Sequence, residues 1–129
     1  MTMFIDESTY FQAVRKFVER LSEIHQERNF DAVVAPKRSG LFLGVWASHL
    51  LGLPMFVPSE LRSMPNKFGN VLIVDSAVCK GKTLKKIQNQ LKPRQTFTAV
   101  IWREGEGTCD FVLNPENIGI IKFFYEGRQ

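Results

Sequence analysis

Apolar positions recur along this chain at two spacings, and the switches between them outline alternating helices and strands. Phe11, Val14, Phe17, Val18, Leu21 and Ile24 fall at helical spacing, while Arg15, Lys16, Glu19, Arg20 and Glu23 take the other face. That pattern predicts an amphipathic helix over residues 8–27. Asp31-Ala32-Val33-Val34-Ala35 then reads as a short buried strand, with Pro36-Lys37-Arg38-Ser39-Gly40 as the turn after it. Residues 41–51 are apolar nearly all round, which predicts a helix sandwiched in the core and stopped by Gly52 and Pro54.

Met55-Phe56-Val57 makes a second strand, and residues 58–70 form a polar, proline-containing connection. Val71-Leu72-Ile73-Val74 is the third strand. The helix after Thr83 presents Leu84, Ile87 and Leu91 inward until Pro93 ends it. Residues 96–102 give a fourth strand, Arg103-Glu104-Gly105-Glu106-Gly107 a flexible turn, and residues 118–125 one final strand. The alternation predicts an α/β fold, a small parallel sheet with flanking helices joined by right-handed crossovers. At 129 residues one domain is expected. The turns at residues 36–40 and 75–83 would open on the same sheet edge, where such folds bind ligands.

Those two turns carry the chemistry. Without a side chain at Gly81 the backbone can approach a phosphate, and successive amides from Cys79 to Thr83 can form an anion nest, with Lys80 and Lys82 at its rim. The same residues also suit an ordinary turn in which Thr83 caps a helix. Ser76 stands where a Walker A loop needs its first glycine, so that motif is excluded. Asp75 ends an apolar strand and calls for a partner, either a ligand hydroxyl or a structural hydrogen bond. Arg38 beside Gly40 can offer its fork to a diphosphate or stand solvated at the turn.

A formal charge of +4 suits an anionic ligand, but no basic run exceeds Lys85-Lys86, so no nucleic-acid partner is expected. Cys79 and Cys109 match neither a disulfide framework nor a zinc spacing, and His25 and His49 complete no metal site. Asp6 and Glu7 interrupt the N-terminus before any apolar run of signal-peptide length, so no signal peptide is expected, and no run approaches the ~20 residues of a membrane span. A reduced, cytoplasmic protein with no membrane partner is expected.

The combination resembles the type I phosphoribosyltransferases, most of all the bacterial xanthine-guanine (6-oxopurine) members. Their fingerprint of four apolar residues, two acids, a short loop and Gly-x-Thr is followed over residues 71–83, with Ser76 in place of the second acid. Lys37-Arg38-Ser39-Gly40-Leu41 through Leu51-Gly52-Leu53 is similar to their pyrophosphate loop and following helix. Val100-Ile101-Trp102-Arg103 lies where they place a basic residue for the base. Cys109-Asp110-Phe111-Val112 and Phe123-Phe124-Tyr125-Glu126 resemble their hood, here reduced to residues 104–129, and the lid loop is short.

The resemblance implies that Cys79, Lys80, Gly81, Lys82 and Thr83 hold the 5′-phosphate of phosphoribosyl pyrophosphate, and that Asp75 and Ser76 hold the ribose. Lys37, Arg38, Ser39 and Gly40 would take the pyrophosphate with Mg²⁺, to which Asp75 adds a ligand. Arg103, Ile120 and Phe123 would take the base, and Arg38 and Asp75 would be the catalytic residues. The implied reaction transfers the phosphoribosyl group to a purine base, with Mg²⁺ as cofactor. Ser76 and Cys79 depart from the acids of the purine enzymes, and a non-catalytic nucleotide-binding or phosphoribosyl pyrophosphate-binding regulator is the alternative. The family's habit of pairing, with Phe42 and Trp46 in the apolar stretch 41–53, predicts a homodimer.

Overall fold

The computed structural model describes residues 2–36, 40–78, 80–117 and 119–125. Five parallel strands form the main sheet in the order β3-β2-β4-β5-β6, with β2 at Ala32–Val34, β3 at Met55–Phe56, β4 at Asn70–Val78, β5 at Gln95–Arg103 and β6 at Phe111–Asn117. Helices α1 (Glu7–Arg28) and α2 (Leu41–Leu51) follow the predicted spans closely, and α3 runs over Lys82–Leu91. Buried residues of α1, α2 and one sheet face form one core. Leu84, Ile87 and Leu91 of α3 form a second core on the other face with Val34, Ile73 and Val100.

Four features depart from the sequence expectation. Residues Thr2–Ile5 form a strand, β1, that pairs in parallel with β7 (Ile120–Phe123) as a separate two-stranded sheet. Its local sequence carries no alternation, and the pairing comes from the far end of the chain. The single final strand is therefore two, β6 and β7; Ile118, which the expected strand included, lies outside the described residues. The connection after β3 holds a 3-10 helix at Pro58–Ser63, begun by a proline at its first turn.

The fourth departure concerns α2, which is not sandwiched. Only Leu43, Gly44 and Ala47 are buried, while Phe42, Val45, Trp46 and Leu50 stay exposed. A helix that is apolar nearly all round cannot report how many of its sides have neighbours, and among the described residues α2 packs mainly on the sheet and α1, with Phe42 also against Tyr125. Gly44 lets it sit close to the sheet. A Cβ there would lie 2.5 Å from the Ala35 Cβ and 2.8 Å from the Met55 Sδ.

Candidate functional site

The site is built on β4, which lies between β2 and β5 and buries Val71, Leu72, Ile73 and Val74 completely. Asp75 follows them as an acid that is only 7% exposed, and its Oδ1 accepts the Ser76 amide at 2.7 Å. The strand does not end there. It continues in register with β5 through Val78, which pairs with Arg103, so the turn proper begins after residue 78.

Gly81 closes that turn at φ 77°, ψ 8°, a left-handed conformation that a β-branched side chain resists. It is the N-cap of α3 and supplies no side chain, so the first amides of the helix have no side-chain cap. Thr83 lies inside the first turn and is exposed, which sets aside the helix-capping role. Asp75, Val78, Lys80, Gly81, Thr83 and Glu104 line one cavity of about 280 Å³. Uncapped amides, the positive end of the helix dipole, and Lys80 with Lys82 give its α3 side a chemistry that suits an anion. Asp75 and Glu104 line the cavity on the sheet side.

The structure thus brings Asp75, Lys80, Gly81, Lys82 and Thr83 together. Lys37, Arg38, Ser39 and Cys79 lie outside the described residues, as does Glu126. Gly40 is the N-cap of α2, and a Cβ on it would meet the Pro36 Cδ and carbonyl oxygen at 2.8 Å, so Gly40 sits directly against Pro36.

Ser76 does not join the cavity-lining group. It is fully buried toward α1, where its hydroxyl lies 3.3 Å from the Tyr10 hydroxyl. Successive residues of a strand face opposite sides, so the position after Asp75 projects into the core. Burial pushes the Tyr10 hydroxyl above the usual tyrosine range; the negative charge of Asp75 adds to that shift and the Ser76 hydrogen bond opposes it.

Among the expected base-binding residues, Phe123 is 4% exposed and packed in the aromatic cluster under α1. Its ring stacks on Tyr125 at 5.3 Å and 4°, and lies 5.5 Å from Trp102. In that placement it serves the core rather than a ligand. Ile120 is 62% exposed at the start of β7. Arg103 ends β5; its Nη2 donates to the Gly107 carbonyl at 3.3 Å, while its buried Nε has no hydrogen-bond partner among the described residues. Cys109 is partly buried, its thiol pushed up by burial and donating to the Phe111 carbonyl at 3.2 Å, an unreactive setting.

Sequence reasoning left Glu104 in a flexible turn, yet it lines the cavity. Its amide donates to the Val78 carbonyl at 2.9 Å and its Oε2 accepts the Ile121 amide at 3.0 Å. A signal was present: Val100-Ile101-Trp102 runs into Arg103-Glu104, charge at the end of an apolar strand, as Val71 to Val74 runs into Asp75.

No family model matches the chain, and no curated protein matches it. Solved structures do. A purine phosphoribosyltransferase from Pyrococcus horikoshii superposes with a TM-score of 0.77 at 20% identity, covering 99% of this chain and 95% of that one. A xanthine-guanine-hypoxanthine phosphoribosyltransferase from Helicobacter pylori gives 0.79 at 17%, covering 98% and 93%. A hypothetical protein from Neisseria gonorrhoeae with bound ppGpp gives 0.74 at 13%, covering 98% and 90%. The chain therefore has the type I phosphoribosyltransferase fold, a parallel sheet flanked by helices.

Proposed function

We propose that the protein is a phosphoribosyltransferase that moves the 5-phosphoribosyl group from phosphoribosyl pyrophosphate to a purine base, a 6-oxopurine, releasing pyrophosphate. The observation that carries this reading is the uncapped N-terminus of α3 opening, through Gly81, onto the same cavity as Asp75. Helix amides suit a dianionic phosphate ester and a strand-borne carboxylate suits sugar hydroxyls, which together describe ribose 5-phosphate. The fold shared with purine phosphoribosyltransferases supports the same reading.

In this reading Lys80, Gly81, Lys82 and Thr83, with Cys79, hold the 5′-phosphate, and Asp75 holds the ribose. Lys37 to Gly40 hold the diphosphate, and Arg103 and Ile120 face the base. The reaction breaks the bond from C1′ to pyrophosphate and forms one to a base nitrogen. Holding both partners in line and stabilising the departing charge are the protein's two tasks. Arg38 supplies a fixed cation for the second.

Mg²⁺ is the proposed cofactor. Among the described residues no group of three or more His, Cys, Asp or Glu is placed to hold a metal ion. That donor set fits an ion bound chiefly by the diphosphate and water, with Asp75 as the protein ligand, the usual habit of Mg²⁺ at phosphates. When bound, it neutralises charge on the diphosphate. Pyrophosphate release on mixing protein, Mg²⁺, phosphoribosyl pyrophosphate and a purine base tests the reading.

The exposed Phe42, Val45, Trp46 and Leu50 of α2 support pairing of two copies through that face. No helix of the described residues is long and apolar enough to cross a membrane. We place the protein in the cytoplasm.

A further inference from the structure

We infer that Glu104 is a sugar-recognition residue of the cavity, whose carboxylate accepts a hydroxyl of the bound sugar phosphate. The inference rests on the reading of the cavity as a sugar-phosphate site. Asp75 and Glu104 are the acidic residues that line it among the described residues, and they come from adjacent paired strands: Asp75 from within β4, Glu104 from the residue that follows β5. The position after Asp75 cannot supply a second acceptor, because the Ser76 hydroxyl is turned into the core against Tyr10.

Glu104 is held at both ends. Its amide is fixed to the Val78 carbonyl at 2.9 Å, and its Oε2 accepts the Ile121 amide at 3.0 Å. Oε1 has no partner among the described residues. A carboxylate that has given one oxygen to a strand amide keeps its direction without a neighbouring cation, and its other oxygen can only accept. Phosphate oxygens also only accept, so Glu104 gains nothing from the phosphate and repels its charge. The donor it matches is a hydroxyl, and a phosphate seated on the Gly81 and Thr83 amides leaves the attached sugar to meet it.

Opposite effects on two probes test this. Inorganic phosphate and ribose 5-phosphate are titrated separately into the isotopically labelled full chain, following the Gly81 and Thr83 amides by NMR. Glu104→Ala is expected to weaken ribose 5-phosphate about 10- to 100-fold, the loss of one charge-assisted hydrogen bond, while phosphate binds as well as before or more tightly because a repelling charge is gone. Glu104→Gln keeps an oxygen for the Ile121 amide, so β7 stays anchored; it is expected to show the same tighter phosphate and a smaller sugar-phosphate loss.

Parallel weakening of both probes in both variants would mean a structural role and overturn the inference, as would no change in either. A wild type that binds ribose 5-phosphate no more tightly than phosphate also overturns it. Formation of nucleotide remains a separate measurement, so failure of the transfer reaction with an intact sugar-phosphate preference would count against the proposed reaction and not against Glu104.

Discussion

Replacing Ser76 by aspartate would write the second acid of the phosphoribosyltransferase fingerprint back into the chain, and the structure predicts damage rather than repair. The position is fully buried, and its hydroxyl lies 3.3 Å from the Tyr10 hydroxyl. An ionised carboxylate there would lose its water inside the core, at a cost of about 3 kcal/mol at pH 7, or a melting temperature lowered by roughly 10 °C. Burial raises the folded-state pKa of the new acid above its unfolded value of about 3.9. The penalty is therefore smallest below pH 4, where both states are protonated, and grows as pH rises toward the folded pKa. Near pH 3.5 only the larger, polar side chain remains to be fitted, about 1–2 kcal/mol. Urea titrations of wild type, Ser76→Asp and Ser76→Ala at pH 3.5 and 7 measure this, with Ser76→Ala expected to cost about 1 kcal/mol at both. A Ser76→Asp protein as stable as wild type at pH 7, or one binding ribose 5-phosphate more tightly, would show that residue 76 faces the cavity and would refute the reasoning.

Two further substitutions probe the scaffold that positions the site. Tyr10→Phe is expected to cost about 1 kcal/mol near pH 8 through loss of the hydroxyl contact to Ser76. Because the folded-state pKa of Tyr10 is raised, the unfolded chain ionises first and wild type loses stability as pH rises past about 10; urea midpoints at pH 8 and 11 should therefore converge for the pair. Gly44→Ala gains about 1 kcal/mol of helix propensity but forces a Cβ to 2.5 Å from that of Ala35. A net loss of about 1–2 kcal/mol is expected, and a raised melting temperature would contradict the close packing of α2.

The helices and most of the sheet were legible because α1 and α3 separate apolar and charged faces, because β2 and the first half of β4 are continuous apolar runs, and because β5 starts as an alternating, β-rich segment. β1 was not, since Thr2–Ile5 has meaning only beside Ile120–Phe123. The α2 error has the same root: Phe42 and Trp46 are apolar whether or not anything covers them. At the site, Asp75, Gly81 and Thr83 were legible from an acid and a small-residue turn after an apolar strand. The direction of Ser76 and the arrival of Glu104 at the same cavity were not, for both depend on where strand ends fall. β4 and β5 each run past the expected end, which turned Ser76 into the core and brought Glu104 to the edge.

Nucleotide formation tests the account's central claim most directly. Wild-type protein and Gly81→Val are incubated at high concentration with Mg²⁺, phosphoribosyl pyrophosphate and, in turn, guanine, hypoxanthine, xanthine, adenine, orotate and uracil, and pyrophosphate and nucleoside monophosphate are measured together. The account predicts equal amounts of both with at least one 6-oxopurine, and loss of both in Gly81→Val, whose side chain the φ of 77° resists at the phosphate turn. No product with any base, or product unchanged by Gly81→Val, would contradict it.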